Sequence, residues 1–271
     1  MERIFEFNRF KLLVHRIISE RGIKLFGSLL FIAFCMLLFL GIGFMKPSIY
    51  ETARSFFVTV GLFLGPISYM WILSSEYQTN SQSISFLMLP GSTFEKWLAH
   101  MVIGVGIYYL SFLVIFRLLD LFFVSAIHSK YDSTGISYIV KDMEIQSFDS
   151  LLLYGPFLLG TIISLSVFIG ALYFKKNSLV YSLITVFSLA MAIVVYHFVI
   201  ISLNLDGNIP IDGRSAIPFY RVLITDVSSS PAKEYVIGSK YSITSVLSAM
   251  CIPIICALTI AYYYAIKEKE L

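Results

Sequence analysis

Arg117 and Asp120 set opposite charges three positions apart inside an apolar run, a spacing that puts both on one face of a helix. An arginine and a carboxylate placed this way can cap a membrane span near water as a local ion pair. They can also meet a substrate where it leaves the membrane. Arg117 lies 20 residues beyond Trp97, roughly 30 Å along a helix axis, so the pair is expected at an outer interface rather than at mid-depth. The other chemistry-bearing side chains are sparse. His197 follows Tyr196 late in an apolar run and reads as a structural histidine, and Glu76 falls in a polar stretch just past Trp71. No His-Glu-x-x-His, no Gly-x-Ser-x-Gly and no Gly-x-x-x-x-Gly-Lys-Ser/Thr occurs, and Cys35, Cys251 and Cys256 have no metal-ligand spacing. Ionisable residues within the membrane mark proton relays and ion paths. Their scarcity argues against a proton-coupled carrier and against an intramembrane enzyme, and no catalytic residue, metal site or resident cofactor is expected on this chain.

The elements that must position these residues follow from composition. Of 271 residues, 58% are hydrophobic and only 14% are charged, where soluble domains carry about 25% charged residues. With a mean hydropathy of +0.82 the chain reads as an integral membrane protein. Its Lys and Arg are dispersed and form no stripe interleaved with aromatics, so nucleic acid is not an expected partner. Runs of about 20 apolar residues, enough to cross a hydrocarbon core of roughly 30 Å, occur at 25–45, 54–73, 97–118, 151–174, 179–203 and 243–266. The expected fold is all-α, a single six-span domain over 1–271. Arg3, Arg9, Lys11, Arg16, Arg21 and Lys24 precede the first span, Lys175 and Lys176 fill the short fourth connection, and Lys267 and Lys269 follow the last span. The positive-inside rule then puts both termini and the 74–96 loop in the cytoplasm. The 119–150 and 204–242 loops face outward, and the alternation around Ser228–Pro231 suggests a small β-hairpin or a re-entrant element in the second.

Residues 1–22 form a further unit. Ile4, Phe7, Phe10, Val14 and Ile17 recur every three or four positions against a basic face, as in an amphipathic helix lying in the interface, either as an anchor or also touching a partner. Pro66, Pro156 and Pro253 interrupt spans, and Gly61 and Gly65 have a spacing that lets helices approach closely. The 74–96 loop is longer than a connector needs. Ile84, Phe86, Leu87, Met88 and Leu89 build a short apolar helix over 82–89, and Pro90-Gly91 stops it. Ser92 and Glu95 then read as a capping box that opens the third span. A rigid apolar knob at a membrane surface calls for cover, by a partner protein or by lipid.

The segment FLMLPGSTFEKWLAH resembles the Leu-Pro-x-Ser-x-x-Glu-Lys signature in the first cytoplasmic loop of type-2 ABC exporter permeases from Bacteroidetes-like bacteria. The opening FEFNRFKLLVHRIISERGIKLF and the ending YYYAIKEKEL are similar to the ends of those proteins. The resemblance implies a permease of the bacterial cytoplasmic membrane without catalysis of its own. Its coupling helix would sit in a separately encoded ATPase that binds the ATP and Mg, through Phe86, Leu87, Leu89 and Pro90 with Glu95 and Lys96 at the rim. A second permease subunit, identical or related, would complete the path. The rival reading is a membrane transporter or sensor that works without an ATPase. Single cysteines at Ser81 and Ser229, in a background without the three native ones, are expected to label from opposite faces of the membrane; labelling from one face refutes the six-span topology.

Overall fold

The structure, a computed structural model, describes residues 5–77, 88–89, 91–131, 151–174, 177–204, 211–217, 221–226, 233–238 and 242–270. Helix α1 covers Phe7–Met45 and α2 covers Pro47–Ser74, followed by a 3-10 turn over Ser75–Tyr77. The third span is composite: α3 (Thr93–Met101), a π-helical segment (Val102–Ile107) and α4 (Tyr108–Tyr131). Helices α5 (Leu151–Tyr173), α6 (Ser178–Asn204) and α7 (Ile243–Glu270) complete the bundle. Among the described residues six helical stretches are long and apolar enough to cross a membrane, matching the six sequence-derived spans, with the first extended to Phe7–Met45 and the third to Thr93–Lys130. The fold is a helical membrane bundle.

Local chemistry explains the boundaries. Lys46 is the one non-helical residue between α1 and α2; it is extended, and Pro47 opens the next helix, where a missing N–H costs nothing. Gly43 makes this corner possible, because an added Cβ would meet the Tyr50 backbone at 3.0 Å. Asn177 turns the chain between α5 and α6 with a positive φ of 51°, a conformation asparagine tolerates better than most residues.

One expectation changes. The amphipathic start is not a separate interfacial unit, because α1 runs unbroken from Phe7 into the first span. Leu13, Ile17, Arg21, Leu25 and Leu29 are all buried at spacings of four, so one continuous stripe crosses the junction. A helix whose buried stripe does not stop has no reason to bend. It packs along α2, α3 and α4 instead of lying flat.

In the 204–242 loop the expected hairpin forms and gains a strand. β1 (Ile211–Ile217), β2 (Arg221–Asp226) and β3 (Lys233–Gly238) make an antiparallel sheet in the order β1-β2-β3. The β2–β3 register is regular from Arg221↔Gly238 to Asp226↔Lys233, whereas β1–β2 shifts between Asp212 and Ile217, the stretch that contains Gly213.

Between helices in lipid, hydrophobic transfer contributes little, and close contact and hydrogen bonds do the joining. Helix α2 lies at the centre, against α1, α4 and α5. Its tightest crossing is with α5 at Gly160, where an added Cβ would overlap the Leu62 carbonyl and sit 3.2 Å from the Phe63 backbone. Gly61 and Gly65 instead make room for side chains, since an added Cβ would overlap the Phe112 ring at the first and the Tyr108 ring at the second, so the expected small-residue approach seats the aromatics of α4 on α2. Gly160→Ala should therefore destabilise the detergent-solubilised protein by about 1–3 kcal/mol. Gly41→Ala, at a position open to space, should leave the melting midpoint unchanged. Equal midpoints for the two variants would refute the crossing.

Candidate functional site

Pro66 lacks the N–H that would bond the carbonyl four residues back, so Leu62 O loses its helical donor inside the span. The fold returns one. Immediately after the π segment, Tyr109 Oη donates to Leu62 O at 3.4 Å and to Phe157 O of α5 at 3.1 Å, and meets Thr161 Oγ1 at 3.2 Å. Its neighbour Tyr108 donates to Gly61 O at 2.6 Å. Two consecutive tyrosines, both buried, thus stitch α4 to the backbone of α2 at its proline break and on to α5. π segments within helices recur at functional sites, and this one sets the tyrosines against the weakest turn of α2.

A second polar cluster lies at the end of the bundle that carries the α2–α3 connection. Glu95 is fully buried. The expected capping box is present, with Glu95 N donating to Ser92 Oγ at 3.2 Å and Ser92 N to Glu95 Oε2 at 2.9 Å. The other carboxylate oxygen accepts Glu6 N at 2.7 Å and Arg9 Nη2 at 3.2 Å. One acid therefore caps α3 and holds the start of α1, satisfying a donor at that helix end which has no partner of its own. Around it Arg21 donates to Ile72 O at 2.8 Å and to Ser75 Oγ, Trp97 Nε1 donates to Thr259 O at 3.2 Å, and Tyr262 Oη lies 2.8 Å from His100 Nδ1. The His100 ring also packs on Phe168 at 5.0 Å. Helices α1, α2, α3, α5 and α7 are locked together here.

At the opposite end Asp120 is fully buried and bonds Tyr50 Oη at 3.2 Å and Arg54 Nη1 at 3.4 Å, with Arg54 also over the Tyr50 ring. This corrects the picture of a solvent-exposed Arg117–Asp120 pair. Asp120 turns into the bundle toward α2, and Arg117 is only half-buried.

The residues expected to touch an ATPase divide. Phe86, Leu87 and Pro90, and most of the 82–89 segment, lie outside the described residues. Leu89 is half-buried against the core. Glu95 and Lys96 are buried within this chain, so neither forms an outward-facing rim. His197 is buried, in keeping with a structural role, and Trp71 remains 46% exposed. The sequence reading missed Tyr50, Arg54, Tyr108, Tyr109 and the His100–Tyr262 contact. One signal was present: a proline four residues after Leu62 announces an orphaned carbonyl that some hydroxyl must satisfy.

These groups join helices, and among the described residues no group of three or more His, Cys, Asp or Glu is arranged to hold a metal ion. Fold and site define a multi-pass helical membrane protein with an internally braced bundle. No family model, no curated protein and no solved structure matches the chain.

The buried pair gives a direct test. Asp120→Ala, which leaves the Arg54 charge buried without its carboxylate, should cost about 3–5 kcal/mol. The double variant Arg54→Met/Asp120→Leu should recover most of that loss. Thermal unfolding in detergent reads both, and a single variant as stable as the parent would refute the pairing.

Proposed function

We propose that the chain is the membrane-spanning permease subunit of an ABC exporter, driven by a separately encoded ATPase and paired with a second permease subunit. In this reading both termini and the α2–α3 connection face the cytoplasm of a bacterial inner membrane, and ATP and Mg are bound by the partner. The resemblance of FLMLPGSTFEKWLAH to the family's loop signature supports it. So does the placement of the chain start, the α2–α3 connection and the α7 end at one end of the bundle. The observation that carries it is the Glu95 clamp, which ties the exit of the loop to α1 through Glu6 and Arg9.

A loop fastened in this way transmits force. Displacing the segment before Ser92 moves α3, because the capping box fixes its first turn. Displacement of α3 reaches the π segment, whose hydrogen bonds rearrange more cheaply than those of a regular helix. Beyond it Tyr108 and Tyr109 grip α2 at the Pro66 break. Work done by a partner at the surface would thus arrive at a turn of α2 able to bend, as alternating access requires. Glu95 and Lys96 act in this scheme from inside the chain, leaving Phe86 and Leu87 as the surface for the ATPase.

Fully burying each such apolar side chain contributes about 1.5–3 kcal/mol, so two charged replacements weaken binding by orders of magnitude. Phe86→Asp/Leu87→Asp should abolish co-purification of an ATPase while the protein still inserts and elutes normally. Glu95→Gln, a change in the buried clamp, should keep the ATPase bound and reduce its coupled activity. Binding of the aspartate variant at parental strength, or isolation of the native protein without any ATPase, refutes the reading in favour of a transporter or sensor that works without one.

A further inference from the structure

An apolar groove of about 360 Å3 runs between α1 and α2 on the outside of the bundle. Its walls include Phe31, Phe39 and Leu64, each at least 45% exposed, and Met36 and Val60 lie deeper. On α1 it reaches from Ser28 to Phe39, 11 helical steps, or about 16 Å at 1.5 Å per residue. That is close to the depth of one bilayer leaflet, half of about 30 Å. The groove lies within membrane-spanning stretches of both helices, so what lies along it is hydrocarbon in length and polarity.

Its mouth is marked by charge. Lys24 is exposed on α1 one turn before Ser28, in line with Ser28, Phe31, Cys35 and Phe39 at spacings of three and four. Side chains on a helix lean toward its N-terminus, so Lys24 reaches away from the groove toward the water interface. Glu20, one turn further out, is engaged by Arg16 at 2.7 Å. Trp71, one turn beyond the groove residue Ser68 on α2, is exposed at the same level, where interfacial tryptophans sit.

We propose that this groove seats one acyl chain of an anionic phospholipid whose phosphate rests at Lys24, in the leaflet on the side of the α2–α3 connection. The site is independent of whether an ATPase drives the protein. Apolar length selects a chain, and the lysine selects the headgroup charge. A second copy of the protein is the competing occupant.

Trp71 reports the site once Trp97 is replaced by phenylalanine, since the chain has 2 tryptophans. The Trp97→Phe protein is reconstituted in phosphatidylcholine vesicles containing a minor fraction of chain-brominated phosphatidylglycerol, or the same fraction of chain-brominated phosphatidylcholine. Phosphatidylglycerol is expected to be enriched at the groove by roughly fivefold, the preference one surface lysine confers, and to quench Trp71 correspondingly more. Lys24→Gln should equalise the two lipids, Lys24→Arg should keep the difference, and Ser28→Phe, which fills the mouth, should weaken it. Equal quenching in the parent overturns the proposal, as does an excess that survives Lys24→Gln. Efficient Cys35–Cys35 disulfide linkage between copies in the membrane also overturns it, because a second copy then occupies the groove.

Discussion

In hydrocarbon a backbone carbonyl without a donor has no water to turn to, and Pro66 creates such a carbonyl at Leu62. Much of the bundle is arranged around that one deficit. Tyr109 offers that carbonyl a share of its one proton, and to reach it α4 must lie against α2, which the absence of side chains at Gly61 and Gly65 allows. Because the same hydroxyl also bonds Phe157 O and meets Thr161, α5 is drawn to the same turn, and Gly160 lets it come into backbone contact. The crossing of three helices thus falls at the turn that a single proline leaves short of a donor.

The two ends of the bundle use charge differently. At the α2–α3 end Glu95 spends its carboxylate on backbone N–H groups and on a half-exposed arginine, a local arrangement that orders a loop exit. At the other end Asp120 and Arg54 are both withdrawn from solvent and held by Tyr50. Such a pair contributes little to stability against an apolar replacement of both partners, but strongly opposes any motion that separates them. It therefore fixes how α2 and α4 meet, while the Glu95 end fixes how α3 begins and where α1 starts.

How much of this was legible in the sequence depends on distance along the chain. The six spans, the Ser92–Glu95 box and the β2–β3 hairpin rest on local periodicity and capping, and they appear where the residues placed them. The additional strand β1 was not legible, because Ile211–Ile217 carries a glycine and charges rather than an alternating pattern. Arg54 looked like the edge of a span, and its partner is 66 residues away. Likewise the Glu6–Glu95 bond joins residues 89 apart, and no spacing rule reaches across that gap. The continuity of α1 was hidden for a different reason: an amphipathic pattern says which face is buried but not whether lipid headgroups or other helices bury it.

That continuity has a mechanical meaning. At 39 residues α1 is a rod about 58 Å long, nearly twice the hydrocarbon thickness, with its pivot at the single extended residue Lys46. A tilt of only about 5° at the pivot swings the far end by about 5 Å. That exceeds the reach of the hydrogen bond between Glu6 and Glu95, which is 2.7 Å long. The clamp thus acts at the end of the longest single helix among the described residues, where a small force has great leverage. One carboxylate there works alongside the packing of α1 on α2, α3 and α4 and the Arg21 bonds to α2, and its leverage on the rod's free end is greater than that of any contact nearer Lys46.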